Sequence, residues 1–424
     1  MYRFLKALAG LALTTAAIAE PLSIVEMTDS ATVREAYHVL EQQRSDVNDW
    51  MVALTEVPAP PFGESPRAAN IASKFAELPG LEISIDDVGN VLALRPGAPD
   101  AAIVVIAAHM DTVFPAGTEI DVAVSDNVFA APGVGDNTRG VAMLYALMRA
   151  VTLAQIETEK AILFVATVGE EGLGDLRGTK HLLASPLAER FDALIAIDGS
   201  NPNLIVSTAV GSRRFRVTIR GSGGHSWGDF GHANPHHALA SIITQFTANA
   251  DAVLAAQPSK GSYSVGRIGG GTAVNAIPFE SWMEVDMRSA DPVLLVALET
   301  AFRQSVVAAI DVANQRRVGG QALSVDLVSV GARPAGSTPL DSLLIRRALT
   351  IWRSLGLEPV LTASSTDANA AMAVGLPAVT ISRGGISVGA HGLQESWTDH
   401  DTLRSEQAAL LLLLMMSDAR QVQR

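Results

Sequence analysis

The stretch KAILFVATVGEEGLGDLRG, residues 160–178, decides the fold, because an apolar run ends abruptly in two carboxylates and a glycine-rich loop. Residues 162–168 show no polar alternation, which is typical of a parallel strand covered on both faces. Such sheets bind ligands just beyond the carboxyl ends of their strands. Glu170 and Glu171 lie there, and their mutual repulsion makes the pair costly without a cation. The alternative for a lone Glu-Glu pair is a solvated loop.

The same pattern, an apolar run followed by a ligand-type residue, occurs three more times. The further runs are residues 101–108 before His109, residues 194–197 before Asp198, and residues 378–381 before Ser382 and Arg383, with His391 a short loop further on. Asp111 lies two residues beyond His109 and therefore points to the same side, where it can accept the other ring N–H of the histidine. The turn GVGDNTRG, residues 133–140, places Asp136 just before a predicted helix over residues 138–150.

Length and composition indicate a folded protein of about two to three domains. The chain has 424 residues, of which 48% are hydrophobic and 18% charged. It contains no cysteine, which excludes a disulfide framework and a thiolate metal site. Any metal site must therefore use His, Asp and Glu.

The first nineteen residues are predicted to be a secretory signal, cut between Ala19 and Glu20. A basic start with Arg3 and Lys6 precedes an apolar stretch over residues 7–18 and a small-x-small cleavage pattern. A membrane anchor is the alternative, but the apolar stretch is shorter than the roughly 20 residues needed to span a bilayer. Cleavage takes the formal net charge from −13 to −15, which argues against nucleic acid or an anionic membrane as partner. We expect a periplasmic or secreted protein without a stable membrane anchor.

The mature chain is predicted to form an α/β catalytic domain interrupted by an inserted domain. Residues 30–55 and 67–78 indicate helices, and residues 81–94 indicate a hairpin. After Asp198 the pattern changes to β-α-β-β-α-β, the ferredoxin-like order. Its strands are predicted over residues 214–220, 262–268, 282–288 and 323–330, and its helices over residues 235–250 and 292–310. The predicted domains are residues 20–210 and 331–424 for the catalytic domain and residues 211–330 for the insert.

These motifs resemble the M20 family of metallopeptidases and amidohydrolases over nearly the whole mature chain. The matching residues are His109-Met110-Asp111, Gly135-Asp136-Asn137, Gly169-Glu170-Glu171-Gly172, Asp198-Gly199, Gly223-Gly224-His225-Ser226, Gly270-Gly271-Thr272-Ala273-Val274-Asn275-Ala276-Ile277-Pro278, Asp286-Met287-Arg288 and His391. Family members include di- and tripeptidases, glutamate-releasing carboxypeptidases, aminoacylases, and deacylases of acetylornithine and succinyl-diaminopimelate. The resemblance implies a two-zinc, aminopeptidase-like catalytic domain with an inserted lid that usually also forms a homodimer.

The resemblance also implies a role for each matching residue. Two divalent ions are expected per subunit, with zinc as the expected metal and Co²⁺ or Mn²⁺ as alternatives. The first ion would be bound by His109 and Asp198, the second by Glu171 and His391, and Asp136 would bridge both. Each ion then has three protein ligands and a position left for a bridging hydroxide. Glu170 would be the general base and Asp111 would orient His109, and in the family the bond between Asp136 and Asn137 is often cis.

The insert is expected to contribute three residues. The family uses the histidine matching His225 to stabilise the oxyanion, commonly from the partner subunit, and the alternative is a surface-loop histidine. Arg288 can clamp a substrate carboxylate bidentately, and its alternative is a salt bridge. Asn275, in the glycine-rich motif, is predicted to bind substrate as well.

The predicted function is zinc-dependent hydrolysis of amide bonds in small peptides or N-acyl amino acids, by metal-activated hydroxide with Glu170 as base. One rival is a serine hydrolase, because residues 385–389 match G-x-S-x-G around Ser387, with Asp399 and His400 downstream. That motif must open into a helix, which the following residues do not indicate. A second rival is a catalytically silent binding protein that keeps the fold.

Overall fold

A computed structural model describes residues 23–419 of the chain. Its helices are α1 (Ile24–Asp29), α2 (Ala31–Gln42), α3 (Arg44–Thr55), α4 (Ser65–Phe75), α5 (Gly140–Leu153), α6 (Arg177–Ala184), α7 (Pro235–Ala255), α8 (Pro292–Gln315), α9 (Leu343–Ser354), α10 (Ala368–Ala373) and α11 (Thr402–Met416). Its strands are β1 (Glu82–Ile85), β2 (Val91–Arg95), β3 (Ile103–His109), β4 (Ala123–Ser125), β5 (Val128–Ala130), β6 (Ala161–Thr167), β7 (Phe191–Gly199), β8 (Leu204–Ala209), β9 (Gly211–Arg220), β10 (Gly224–His225), β11 (Gly261–Gly270), β12 (Ala276–Ile277), β13 (Glu280–Ser289), β14 (Ser324–Arg333), β15 (Gly336–Ser337), β16 (Val360–Ser364), β17 (Ala378–Ser382), β18 (Ile386–Val388) and β19 (Ser396–Thr398). The predicted signal sequence lies outside the described residues.

The central sheet has the strand order β1-β2-β6-β3-β7-β17-β8-β15, with β16 also paired to β8. Its middle strands β6, β3, β7 and β17 are parallel to one another. Alternate residues of β3 pack into two separate cores, with Val104 and Ile106 in one and Ile103 and Val105 in the other. Helices α5, α9 and α11 cover the first face and α6 and α10 the second. Burial on both faces explains the continuous apolar runs in the sequence.

The inserted sheet has the strand order β11-β13-β9-β14, and α7 and α8 pack on one of its faces. Its strands alternate: Met283, Val285 and Met287 of β13 are buried under the helices, whereas the residues between them are half-buried. The predicted β-α-β-β-α-β order and the α/β class are confirmed. The last strand, β14, ends at Arg333, and the predicted domain limits themselves stay a prediction.

A small antiparallel sheet, ordered β18-β19-β5-β4, joins two loops that are far apart in the sequence. Strand β5 leads into the turn that carries Asp136, and β18 and β19 flank the loop that carries His391. Ser396, Trp397 and Thr398 of β19 pair with β5. This sheet was not predicted, because three-residue strands held by long-range pairing leave no periodic pattern.

Two features of the helices need separate comment: the break between α2 and α3, and the long apolar helices α7 and α8. The helix expected over residues 30–55 is broken at Gln43 into α2 and α3. By length and composition alone, α7 and α8 are apolar enough to cross a membrane, but their buried residues form the core of the insert. Amphipathic core helices of this kind pass the same test.

Candidate metal centre

The carboxyl ends of the parallel strands bring the predicted ligands to one edge of the central sheet. His109 is the last residue of β3, and Asp198 is the next-to-last residue of β7. Glu170 and Glu171 follow the end of β6, and Arg383 follows the end of β17. Parallel neighbours end at the same edge, which explains why residues so far apart in the chain converge.

Five side chains form two triads that share Asp136. In the first triad, Nε2 of His109 lies 3.3 Å from Oδ1 of Asp136 and 3.7 Å from Oδ1 of Asp198. In the second triad, Nε2 of His391 lies 3.5 Å from Oδ2 of Asp136 and 3.0 Å from Oε1 of Glu171. The two oxygens of Asp136 therefore face different histidines, as a carboxylate bridging two ions requires.

Asp136 is positioned by a tight turn that Glu395 holds in place. The carboxylate of Glu395 accepts backbone N–H groups from Gly133, Gly135 and Asp136 at 2.8, 2.9 and 2.6 Å. A Cβ atom at Gly135 would lie 2.9 Å from Oε1 of Glu395, so a side chain at this position would collide with the carboxylate. The peptide bond between Asp136 and Asn137 is cis, as the family resemblance led us to expect.

His109 is oriented by Asp111, but through the backbone rather than the carboxylate. Nδ1 of His109 lies 3.1 Å from the main-chain carbonyl oxygen of Asp111 and 3.6 Å from its nearest carboxylate oxygen. A carbonyl only accepts, so Nδ1 carries the proton and Nε2 faces the first triad. The buried Asp111 carboxylate instead accepts the backbone N–H groups of Glu170 and Glu171 at 3.0 and 2.8 Å. The expected hydrogen bond from the ring to the carboxylate is thus absent, and the carboxylate uses two hydrogen bonds to tie the end of β3 to the Glu-Glu turn.

Glu170 is buried beside the triads and is held by an arginine at the end of strand β14. Nη1 of Arg333, at the end of β14, donates to Oε1 of Glu170 at 2.7 Å and to Oγ of Ser365 at 3.1 Å. Its Nη2 also donates to the main-chain carbonyl of Glu170. Burial raises the pKa of Glu170 well above its usual range, and the positive charge of Arg333 opposes this shift.

The charges of the triads fit a pair of divalent ions. Hydrogen bonds to Asp136 and Glu171 raise the pKa of His391 to about 10. Burial lowers the pKa of His109, but the carboxylates around it raise the pKa well above the ordinary value. Without ions, the two histidines therefore hold protons that neutralise the surrounding acids, and ion binding must displace these protons. Neutral imidazole and carboxylate are suitable ligands for zinc and related metals.

The sequence pattern of the family described as Peptidase family M20/M25/M40 matches residues 105–416, which include both triads. The chain belongs to this family. M20 enzymes are typically dinuclear and metal-dependent, in agreement with the shared carboxylate of Asp136.

Individual relatives of this M20 member support the same assignment. A LysW-lysine/LysW-ornithine hydrolase of Pyrococcus furiosus is 31% identical over 134 residues, which are 32% of this chain and 36% of the relative. The chain thus matches little more than a third of that relative's length. Among solved structures, aminopeptidase PepT of Bacillus cereus aligns with a TM-score of 0.67 at 20% identity, covering 87% of this chain and 98% of PepT. The dipeptidase Dug1p of Saccharomyces cerevisiae aligns with a TM-score of 0.72 at 13% identity, covering 92% and 99%. At these identities the structures show the shared fold.

The three residues predicted from the insert lie apart from the triads of this M20 member. His225 is exposed on β10, which pairs with β12, and Asn275 is exposed just before β12. Nε of Arg288 lies 2.7 Å from Oδ2 of Asp286, so the salt bridge considered as its alternative is present. Among the described residues, these three side chains form no hydrogen bond or ion pair with the predicted metal ligands. Their roles in binding substrate and oxyanion stay predictions.

The residues of the rival serine site are not assembled within residues 23–419. Ser387 lies in the middle of the short strand β18, and the chain continues into a turn and the His391 loop rather than a helix. Asp399 pairs with Arg44 at 2.5 Å, and His400 is exposed. A nucleophile elbow needs a strand-to-helix turn with the acid and histidine converging on the serine.

Three buried side chains at the site, Arg333, Arg383 and Glu395, were not assigned a role from the sequence. Arg383 follows the fourth apolar run, so the pattern that identified the ligands also marked its position. Arg333 lies three residues beyond the predicted end of the insert, and Glu395 lies in a loop four residues after His391. Neither position carries a sequence pattern, because their roles depend on contacts with distant segments.

Proposed function

We propose that this chain is a two-metal hydrolase of amide bonds in small peptides or N-acyl amino acids. The observation that carries the proposal is the pair of histidine–carboxylate triads that share Asp136, beside the buried carboxylate of Glu170. His109 and Asp198 would hold one ion, Glu171 and His391 the other, and Asp136 both. When bound, such ions supply an activated water and polarise the carbonyl that it attacks. Zinc is the proposed metal, and cobalt and manganese are the alternatives.

Glu170 is the proposed general base. Arg333 donates to Oε1, which leaves Oε2 to accept the proton of the attacking water and later return it to the leaving amine. The raised pKa that burial gives Glu170 suits a group that must both take up and release a proton near neutral pH. The contacts of Arg333 fix the carboxylate, so the proton moves at one defined oxygen.

The insert is proposed to complete the site as a lid. His225 would donate a hydrogen bond to the oxyanion of the tetrahedral intermediate, and Arg288 and Asn275 would bind the substrate. Their exposed positions support a site that closes only with substrate or with a second subunit. We therefore propose a homodimer formed through the insert, in which His225 serves the partner's site.

The setting is proposed to be periplasmic or extracellular. Support comes from the basic start, apolar stretch and cleavage pattern of the first nineteen residues. Expression of the full chain followed by N-terminal sequencing of the secreted product should place Glu20 first. A product that retains Arg3 and Lys6 in the membrane fraction would instead support the anchor.

The deciding experiment is a screen of dipeptides, tripeptides and N-acyl amino acids with zinc, cobalt and manganese. Chelation should abolish hydrolysis and divalent metal should restore it, whereas a serine-directed phosphonate should have no effect. Ser387→Ala should remain active. Loss of activity in Ser387→Ala with intact metal content would overturn the two-metal proposal, and metal binding without any hydrolysis would favour the silent binding protein.

A further inference from the structure

Arg383 is a buried cation in direct contact with the first triad. Its side chain is 3% exposed. Nη1 donates to the main-chain carbonyl of Gly135 at 2.7 Å, to Oδ1 of Asp136 at 2.9 Å and to Oδ1 of Asn137 at 3.2 Å. The same nitrogen lies 3.6 Å from Oδ1 of Asp198. One guanidinium nitrogen therefore donates a hydrogen bond to Asp136 and forms a longer ion pair with Asp198.

The oxygens that face Arg383 are the ones that face His109. Oδ1 of Asp136 and Oδ1 of Asp198 lie 3.3 and 3.7 Å from Nε2 of His109. An ion bound by His109, Asp136 and Asp198 would therefore share its oxygen ligands with the guanidinium. At a separation of a few ångströms and away from water, two positive charges repel each other strongly.

Among the described residues, no arginine donates a hydrogen bond to the oxygens that face His391. The second triad uses Oδ2 of Asp136, Oε1 of Glu171 and Nε2 of His391, and Arg383 forms no hydrogen bond or ion pair with any of these atoms. The other buried arginine of the site, Arg333, hydrogen-bonds to Glu170 and reaches Glu171 only through its charge. Within the part of the chain that the structure describes, direct contact of a triad carboxylate with a guanidinium is thus confined to the oxygens that face His109.

We propose that Arg383 is a built-in counter-charge that makes the two ion sites unequal. It stabilises the first triad without metal, by neutralising Asp136 and Asp198, and it weakens the binding of an ion there. The second triad therefore fills first, and the first triad fills at a higher concentration of free metal. This inference rests on the two-metal function proposed above and adds the order in which the ions bind.

The test measures ion affinity rather than activity. Zinc and cobalt are titrated by calorimetry into the metal-free protein and into Arg383→Met, which removes the charge and nearly keeps the length. The weaker ion of the native protein should bind at least about tenfold more tightly to Arg383→Met, because the repulsion is gone. The metal-free variant should melt at a lower temperature than the native protein, and Arg383→Lys should behave like the native protein in both respects.

Two further variants assign the effect to one triad. Glu171→Gln weakens ion binding at the second triad. The higher ion affinity caused by Arg383→Met should persist in the double variant, because it belongs to the first triad. Arg333→Met is the matched control, because it removes a buried arginine that does not contact the first triad. It should leave the affinity of the weaker ion within about threefold of the native value, since a more distant charge acts weakly.

Each outcome decides the question. Unchanged or weaker binding in Arg383→Met overturns the counter-charge, because a purely structural arginine would lower both affinity and stability. If Arg383→Met and Arg383→Gln fold only with ions, the charge is needed without metal, as proposed. If they fold under neither condition, the role is structural and the inference fails. Absence of two ions in the native protein would instead refute the two-metal function.

Discussion

Charged residues are distributed differently in the central sheet and in the inserted sheet. In the central sheet, β3 and β6 are buried along their whole length, and the charged groups lie together beyond the strand ends. In the insert, charged residues alternate along the strands, so that Glu284 pairs with Arg216 and Asp286 with Arg214 on the face away from the helices. Helices on both faces of a sheet thus leave only its edge for polar groups, and this concentrates them into a site.

Exposure to solvent determines how much each ion pair contributes to the stability of the fold. The pair of Arg139 and Glu406, behind the turn of Asp136, is almost completely buried. The pair of Arg216 and Glu284 is partly exposed. Water screens the pair of Arg216 and Glu284 and can solvate either residue if its partner is removed. Water does not reach the pair of Arg139 and Glu406, so removal of one residue leaves the other charge buried and unpaired. The effects of substitutions on activity and stability should therefore be larger at the edge of the central sheet than in the insert.

The largest effect is expected for Glu170→Gln at the edge of the central sheet. The amide keeps the size of the side chain but cannot accept a proton, so turnover should fall by about 10²–10⁴-fold or more. Metal content, measured by atomic emission, should stay native. The matched control is Glu284→Gln in the insert, where the same chemical change should leave turnover nearly native. An equal loss of turnover in both variants would show that the edge of the central sheet is no more important for catalysis than the inserted sheet.

The next effect separates the two adjacent glutamates. Glu171→Gln replaces a proposed anionic ligand by a neutral amide, so its first effect should be a loss of bound metal. Excess zinc or cobalt should partly restore Glu171→Gln and do nothing for Glu170→Gln. Metal stoichiometry measured beside turnover tests this. If Glu170→Gln lost metal and Glu171→Gln kept both ions, the two roles would have to be exchanged.

Removing half of the buried ion pair should cost stability. Glu406→Gln leaves the charge of Arg139 buried without its partner, which should lower the free energy of unfolding by about 3–5 kcal/mol. Chemical denaturation of the metal-free protein measures this directly. A loss below about 1 kcal/mol would show that water reaches the pair as it reaches the insert.

A mixing experiment tests whether the insert acts across subunits. His225→Ala and Glu170→Gln are each expected to be nearly inactive, and a mixed dimer contains one intact pair of Glu170 and His225. Activity should therefore reappear after the two proteins exchange subunits. No recovery in a dimer shown by mass spectrometry to exchange would mean that His225 acts within its own chain or has no role.

The smallest effect is expected for the stability of Glu284→Gln. Loss of the partly exposed ion pairs with Arg216 and Arg267 should lower the free energy of unfolding by less than about 1 kcal/mol, and added salt should reduce the difference further. Thermal melts at low and high salt measure both. A salt-independent loss several times larger would place these pairs in the same class as that of Arg139 and Glu406.

The sequence was sufficient to predict the parallel sheet and the residues at its edge. Continuous apolar runs have few alternatives in a folded chain, and each run marked where a residue of the candidate site follows, as for His109 and Asp198. Contacts between distant segments were not predictable, because they have no local pattern. Examples are the three hydrogen bonds to Glu395, the contact of Arg333 with Glu170, and the use of the Asp111 carbonyl rather than its carboxylate.

The turn of Asp136 is held by Glu395, and their closest contact joins positions 259 residues apart. This has a consequence for the order of events during synthesis. When Asp136 leaves the ribosome, neither Glu395 nor His391 has yet been translated. Asp136 therefore reaches its final position only after almost the whole chain, including the insert, has been made. Fragments that end before residue 391 lack both His391 and Glu395, so they should not form the second triad.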